Sequence, residues 1–200
     1  MFNHRPNSLN AGSLWGRPFY ILREAWNILN AIAEGKIESG DEKKLNALKG
    51  ETMAVIALCQ FDLTRCFGYP YTKDKGASLG APLIDHLVGT YENPPRSTVA
   101  QAYDFIIETL EEAVTLMSEE KNNGRMNKYA ARALLARIYL YHDDNRKAFD
   151  LADQLIKDAD TSGSYALYPH EKYVAAWSVE AKFGSESFFE IATLSTVAMP

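Results

Sequence analysis

Two runs of helix-periodic apolar residues within 127–159 are separated only by Asp143-Asp144-Asn145, and this spacing constrains the chain more than any other feature. It predicts one helix from about Asn127 to His142 and a second from about Arg146 to Ala159. So short a connection forces two antiparallel neighbours, an αα-hairpin.

The upstream sequence adds three more helices. From about Trp15 to Ala33, apolar residues fall at Phe19, Leu22, Trp26, Leu29 and Ala33, and Gly35 stops the run. Asp41 caps a second helix reaching Phe67, whose apolar residues lie on more than one side and so predict burial between neighbours. The third follows Pro95-Arg96-Ser97-Thr98, where Thr98 with Gln101 forms a capping box and Val99, Ala102, Tyr103, Ile106, Leu110 and Ala113 make one stripe. Residues 1–14 read as an irregular lead-in, rich in Asn, Pro, Gly and Ser. Residues 68–95 read as a long loop full of Gly, Pro and Tyr, a length that in compact domains marks function or a partner surface. Past Gly163 the periodicity dissolves, and residues 160–200 are expected to be irregular apart from a strand around Glu186 to Ile191.

The hairpin resembles a tetratricopeptide repeat. Leu135, Ala136 and Tyr139 sit where such a repeat places its Leu, small residue and Tyr, and Ala148 falls where its second helix has an Ala. Arg132 replaces the usual Trp, and the Pro after the second helix is missing. The expected fold is therefore mostly α: tetratricopeptide-like hairpins over 15–159, long loops and little strand.

Composition excludes several functions. A net charge of −5 without any Lys/Arg cluster argues against nucleic acid, which requires a concentrated basic face. No apolar stretch reaches the roughly 18 residues of a membrane span, and residues 1–20 have no export-signal core, which by itself reads as cytosolic. Cys59 and Cys66, two turns apart on one helix, are about 10 Å apart along its axis and too distant for a disulfide.

Catalysis finds no support. Nucleophile elbows, zinc-protease and phosphate-loop motifs are missing, and the four histidines lie in different segments. His142-Asp143-Asp144 read as cap residues between helices, not as metal ligands. No catalytic residue, metal or cofactor is expected.

Binding candidates are aromatic and amide groups outside the helix stripes. Trp15, with Asn10 and Arg17 close in sequence, combines a stacking plane with hydrogen-bonding groups, the chemistry a sugar ring requires. Tyr69 and Tyr71 in the long loop form a second candidate, and Trp177 a third.

Five segments, in order, resemble the SusD/RagB family of nutrient-binding lipoproteins. They are Trp15 through Trp26-Asn27-Ile28-Leu29; Gly50-Glu51-Thr52 with Cys66-Phe67-Gly68-Tyr69-Pro70; Pro95-Arg96-Ser97-Thr98-Val99 with Leu110-Glu111-Glu112-Ala113; Ala130 through Leu140; and Ser185 through Ile191. The resemblance spans nearly the whole chain. It implies non-catalytic capture of glycans, or of peptides in some members, for import through a SusC-like TonB-dependent outer-membrane transporter. It also implies an outward-facing place on the outer membrane through a lipid anchor absent from this chain. Because family members are much longer, residues 1–200 are expected to form one incomplete helical domain. The alternative is a cytosolic tetratricopeptide adaptor for protein partners.

Overall fold

The computed structural model describes residues 9–37, 39–177 and 183–191. Its main elements are α1 (Leu9–Ala33), α2 (Glu42–Phe67), β1 (Leu79–Pro82), β2 (Arg96–Thr98), α3 (Val99–Leu116), α4 (Lys128–Tyr141), α5 (Asn145–Ser162) and the short α6 (Tyr173–Ala176).

Local chemistry sets most helix ends. Asp41 accepts hydrogen bonds from the Lys43 and Lys44 amides at the start of α2. Thr98 and Gln101 exchange side-chain and backbone bonds in a full capping box at α3. Asn127 caps α4, Asp144 caps α5, and Gly163 closes α5 in the left-handed region at φ 68°, where a Cβ would be strained. The start of α1 departs from the sequence reading: residues 9–14, expected to be irregular, are helical. Gly12 and Ser13 have weak propensity, about 0.5–1 kcal/mol below Ala. That does not stop a helix anchored downstream, because each added residue gains a hydrogen bond at little further entropic cost.

Helix α2 is the central element. Ile56, Cys59 and Leu63 pack with Leu22 and Ala25 of α1 and with Ala81 and Ile84. Its other side sets Met53, Ala54, Ala57 and Phe61 against Val99, Tyr103, Ile106 and Leu110 of α3, with Ala131, Leu134, Leu135 and Ile138 of α4 continuing the same core. Each large buried side chain contributes about 1.5–3 kcal/mol of transfer free energy, and these faces outweigh local propensity. Two close approaches require glycine. A Cβ on Gly50 would sit 2.7 Å from Met117 Cγ and 2.8 Å from the Ala113 carbonyl, and one on Gly68 would sit 2.7 Å from the Thr64 carbonyl.

The connection 68–95 is more ordered than a loop. Its β1 pairs antiparallel with β2, Leu79 opposite Thr98 and Pro82 opposite Arg96, with an irregularity between. Arg96 donates to the Gly80 and Leu79 carbonyls at 2.7 and 2.9 Å. Fully buried Gln60 donates to Pro82 O at 3.1 Å and accepts from the Ile84 amide, while Trp26 donates to Ile84 O at 3.2 Å. The strand expected at 186–191 is not formed; those residues run as turns and bends. Phe188 is drawn instead into an aromatic cluster with Tyr129 and Tyr165, 4.7 Å from the latter. Asn127 Nδ2 donates to Tyr165 Oη at 2.8 Å, tying this segment to the start of α4. No helix among the described residues is long and apolar enough to cross a membrane.

Candidate functional site

The antiparallel packing of α1 on α2 brings the first turns of one to the last turns of the other. Trp15 meets Phe67 edge-on at 4.7 Å and Phe19 at 5.0 Å, leaving the indole 39% exposed. Tyr69, just beyond, is 57% exposed, but Lys73 Nζ lies 3.0 Å from its ring centroid. That ammonium occupies one aromatic face and leaves the other for a ligand. Tyr71 is half-buried between Tyr103, at 5.8 Å, and His142, at 4.2 Å, so it packs and does not present a platform. Arg17 is exposed on α1. Asn10 lies within α1, and its side chain falls outside the described residues.

Trp177 is not part of this group. Its surroundings connect to the start of α4, through Lys121 donating to Gly184 O at 2.8 Å, whereas His142 and Tyr71 stand at that helix's far end. Fourteen residues of helix, about 21 Å, separate the two ends.

A cleft of about 510 Å³ surrounds Trp177, lined also by Tyr168, Ala176, Gly184, Glu186, Ser187 and Glu190. The indole is 75% exposed, with its edge toward Tyr173 at 6.1 Å. Elsewhere on the cleft, the Tyr168 amide donates to Glu186, the Phe183 amide donates to Glu190 Oε2 at 2.9 Å, and Tyr168 Oη accepts from the Ser185 amide at 3.2 Å. Gly184 permits this fold of the segment, since a Cβ there would stand 2.0 Å from Tyr168 Oη. One oxygen of each carboxylate is thereby fixed, and the other remains an acceptor. An exposed indole beside anchored carboxylates and a serine hydroxyl suits a polyhydroxylated ring, which offers C–H bonds to the π face and O–H donors to the acids. Sequence reading singled out Trp177 but missed Tyr168, Glu186 and Glu190, because the pairing of residue 168 with 183–190 is not periodic.

A second cleft, of about 520 Å³, lies between Phe19 and Arg23 of α1 and the β1–β2 connection at Pro82, Ile84, Val88, Gly89, Thr90, Asn93 and Pro94. Among the described residues, no group of three His, Cys, Asp or Glu is placed to hold a metal. His142 packs against Tyr71 with the rings tilted by 45°, and Asp144 serves as the α5 cap.

Residues 4–140 match the family model for SusD-like proteins, described as "Starch-binding associating with outer membrane". The chain belongs to the SusD-like family. A SusD superfamily protein from Bacteroides thetaiotaomicron is 40% identical, with a TM-score of 0.83 over 88% of this chain and 38% of its own. A candidate sugar-binding protein from Bacteroides vulgatus is 38% identical, with a TM-score of 0.84 over 92% of this chain and 42% of its own. Surface glycan-binding protein A from Bacteroides uniformis, at 20% identity and a TM-score of 0.74, covers 92% of this chain and 38% of its own, and shares the fold. No curated protein matches the sequence. The chain thus spans about two fifths of the length of the first two SusD-like relatives.

The segments that resemble the SusD-like pattern have physical roles here. Gly50 admits the end of α3, and Glu51 accepts from Arg125 and from the Met126 amide. Arg96 staples the small sheet, and Ala130, Ala131, Leu134, Leu135 and Ile138 line the core. These are scaffold tasks.

Proposed function

We propose that this chain is the helical part of a non-catalytic protein that captures glycans at the outer membrane. The observation that carries the reading is one cleft lined by both the exposed Trp177 indole and the anchored carboxylates of Glu186 and Glu190. Support comes from the family's starch-binding, outer-membrane description and from two proteins of the same fold, a laminarin-binding SusD-like protein and a surface glycan-binding protein. Tyr168, Trp177, Glu186 and Glu190 are the first contacts on this reading, and Trp15, Arg17, Tyr69 and Asn10 are secondary candidates. A lipid anchor would hold the complete protein outward-facing over a SusC-like TonB-dependent transporter, which would take the captured glycan inward. The chain would work as part of a longer domain, with ligand groups shared between this part and the rest.

The test is affinity electrophoresis and calorimetry of the complete protein against a panel of polysaccharides. One or more glycans should bind, and Trp177→Ala should weaken the interaction about tenfold or more, equal to about 1.4 kcal/mol. Silence toward every glycan with binding to peptides would replace the reading with peptide capture. The adaptor alternative draws on an open groove between α3 and the α4–α5 hairpin, lined by Glu111, Arg132, Leu135, Tyr139, Lys147 and Asp150. An export signal with a lipid-attachment cysteine upstream of residue 1 in the gene would exclude it.

A further inference from the structure

We propose that His86, clasped between Asp85 and Glu92, is a proton-operated catch that fixes one wall of the cleft between α1 and the β1–β2 connection. His86 Nδ1 is 2.6 Å from Asp85 Oδ1, and Nε2 is 2.7 Å from Glu92 Oε1. Both ring nitrogens face carboxylate oxygens, which only accept. A neutral imidazole carries one N–H and would set its bare nitrogen against a lone pair, so this geometry belongs to the imidazolium.

Glu92 relays the contact to the wall. Its Oε2 accepts from the Gly89 amide at 3.1 Å, and its own amide donates to Gly89 O at 3.1 Å. Val88, Gly89 and Thr90, enclosed between His86 and Glu92 in sequence, line the cleft facing Phe19 and Arg23. The charged groups touching the imidazole are Asp85 and Glu92. From α1, the charged side chain lining the cleft is Arg23, already 2.9 Å from Glu24.

The proton's effect has a definite sign. Asp85 first, then Glu92, raise the His86 pKa above the ordinary histidine value. The Gly89 amide first, then His86, hold Glu92 below the usual carboxylate range. The catch is closed between the lowered Glu92 pKa and the ordinary histidine pKa, and releases as pH rises through the raised one. Release frees the Glu92 carboxylate from His86, so the side-chain tie from Glu92 Oε2 to the Gly89 amide loses its anchor while the backbone tie to Gly89 O remains.

The experiment is an NMR titration of the intact chain from acid to alkaline pH, reading the His86 ring signals and the amides of Val88, Gly89 and Thr90. The expected result is a His86 midpoint above the ordinary value, with the three amides moving at the same midpoint. Glu92→Gln should lower the His86 midpoint, and His86→Gln should remove the shared transition from the amides. A wild-type midpoint at or below the ordinary value, or amides that do not follow the ring, would overturn the proposal. These readouts need no ligand and stand apart from the glycan reading.

Discussion

Glu51 of α2 holds Arg125 and the adjoining Met126 amide with one carboxylate: Arg125 Nε is 2.9 Å from Oε2, and the Met126 amide is 3.0 Å from Oε1. The Glu51 side chain is 19% exposed, while that of Arg125 is 59% exposed. The two partners are therefore unequal. Glu51→Ala leaves a buried residue's amide without an acceptor and should cost about 1–3 kcal/mol. Arg125→Ala removes only the solvated half of the pair and should cost less than about 1 kcal/mol. Urea unfolding of both variants checks the order; equal losses would contradict it.

Gly50 and Gly16 make opposite predictions for the same substitution. At Gly50, an added methyl meets Met117 Cγ and the Ala113 carbonyl. A backbone carbonyl cannot step aside as a side chain can, so overpacking of about 1–3 kcal/mol should exceed the gain of about 1 kcal/mol in helix propensity. Gly16 in α1 has nothing within 4 Å of the same position. Gly16→Ala should raise the thermal midpoint while Gly50→Ala lowers it, as calorimetry would show.

The two cysteines should differ sharply in reactivity. Cys59 is buried, whereas Cys66 is exposed in the last turn of α2. Burial, reinforced by the Asp62 charge, pushes the Cys59 thiol up to about 12. A thiol-specific reagent at pH 8 should modify Cys66 alone in the folded chain, and both residues after denaturation, because the thiolate is the reactive form. Mass spectrometry of the labelled peptides decides the matter.

Trp15 and Trp177 should separate stability from binding. Trp15 joins α1 to the end of α2 through Phe67, so Trp15→Ala should lose about 1–2 kcal/mol of stability. Trp177 is three-quarters exposed and supports no core. Its removal should leave the thermal midpoint within about 2 °C, consistent with surface substitutions that change stability by less than about 0.5 kcal/mol. A large drop in midpoint for Trp177→Ala would mean that the indole is structural.

The parts legible in the sequence are those that depend on near neighbours. Thr98 and Gln101, three residues apart, announced the start of α3, and Asp41 announced that of α2. The short break read at 143–145, which the structure places at 142–144, dictated the α4–α5 hairpin from the sequence. The β1–β2 pair was not legible, because it rests on Arg96 reaching back to Gly80 and on Gln60 reaching across to Pro82 and Ile84. Such pairings combine distant segments and leave no local period.

For the ligand candidates, the sequence supplied the chemistry and the family resemblance, but not the exposure. An aromatic residue in a loop reads the same whether its faces are free or covered. Tertiary packing decided that Tyr71 is wedged between Tyr103 and His142, that Tyr69 has one face under Lys73, and that Trp177 stands open in a cleft it shares with two carboxylates. Helices follow from interactions within one or two turns. Which rings remain free to stack on a ligand follows from contacts between segments, and only the folded chain brings those segments together.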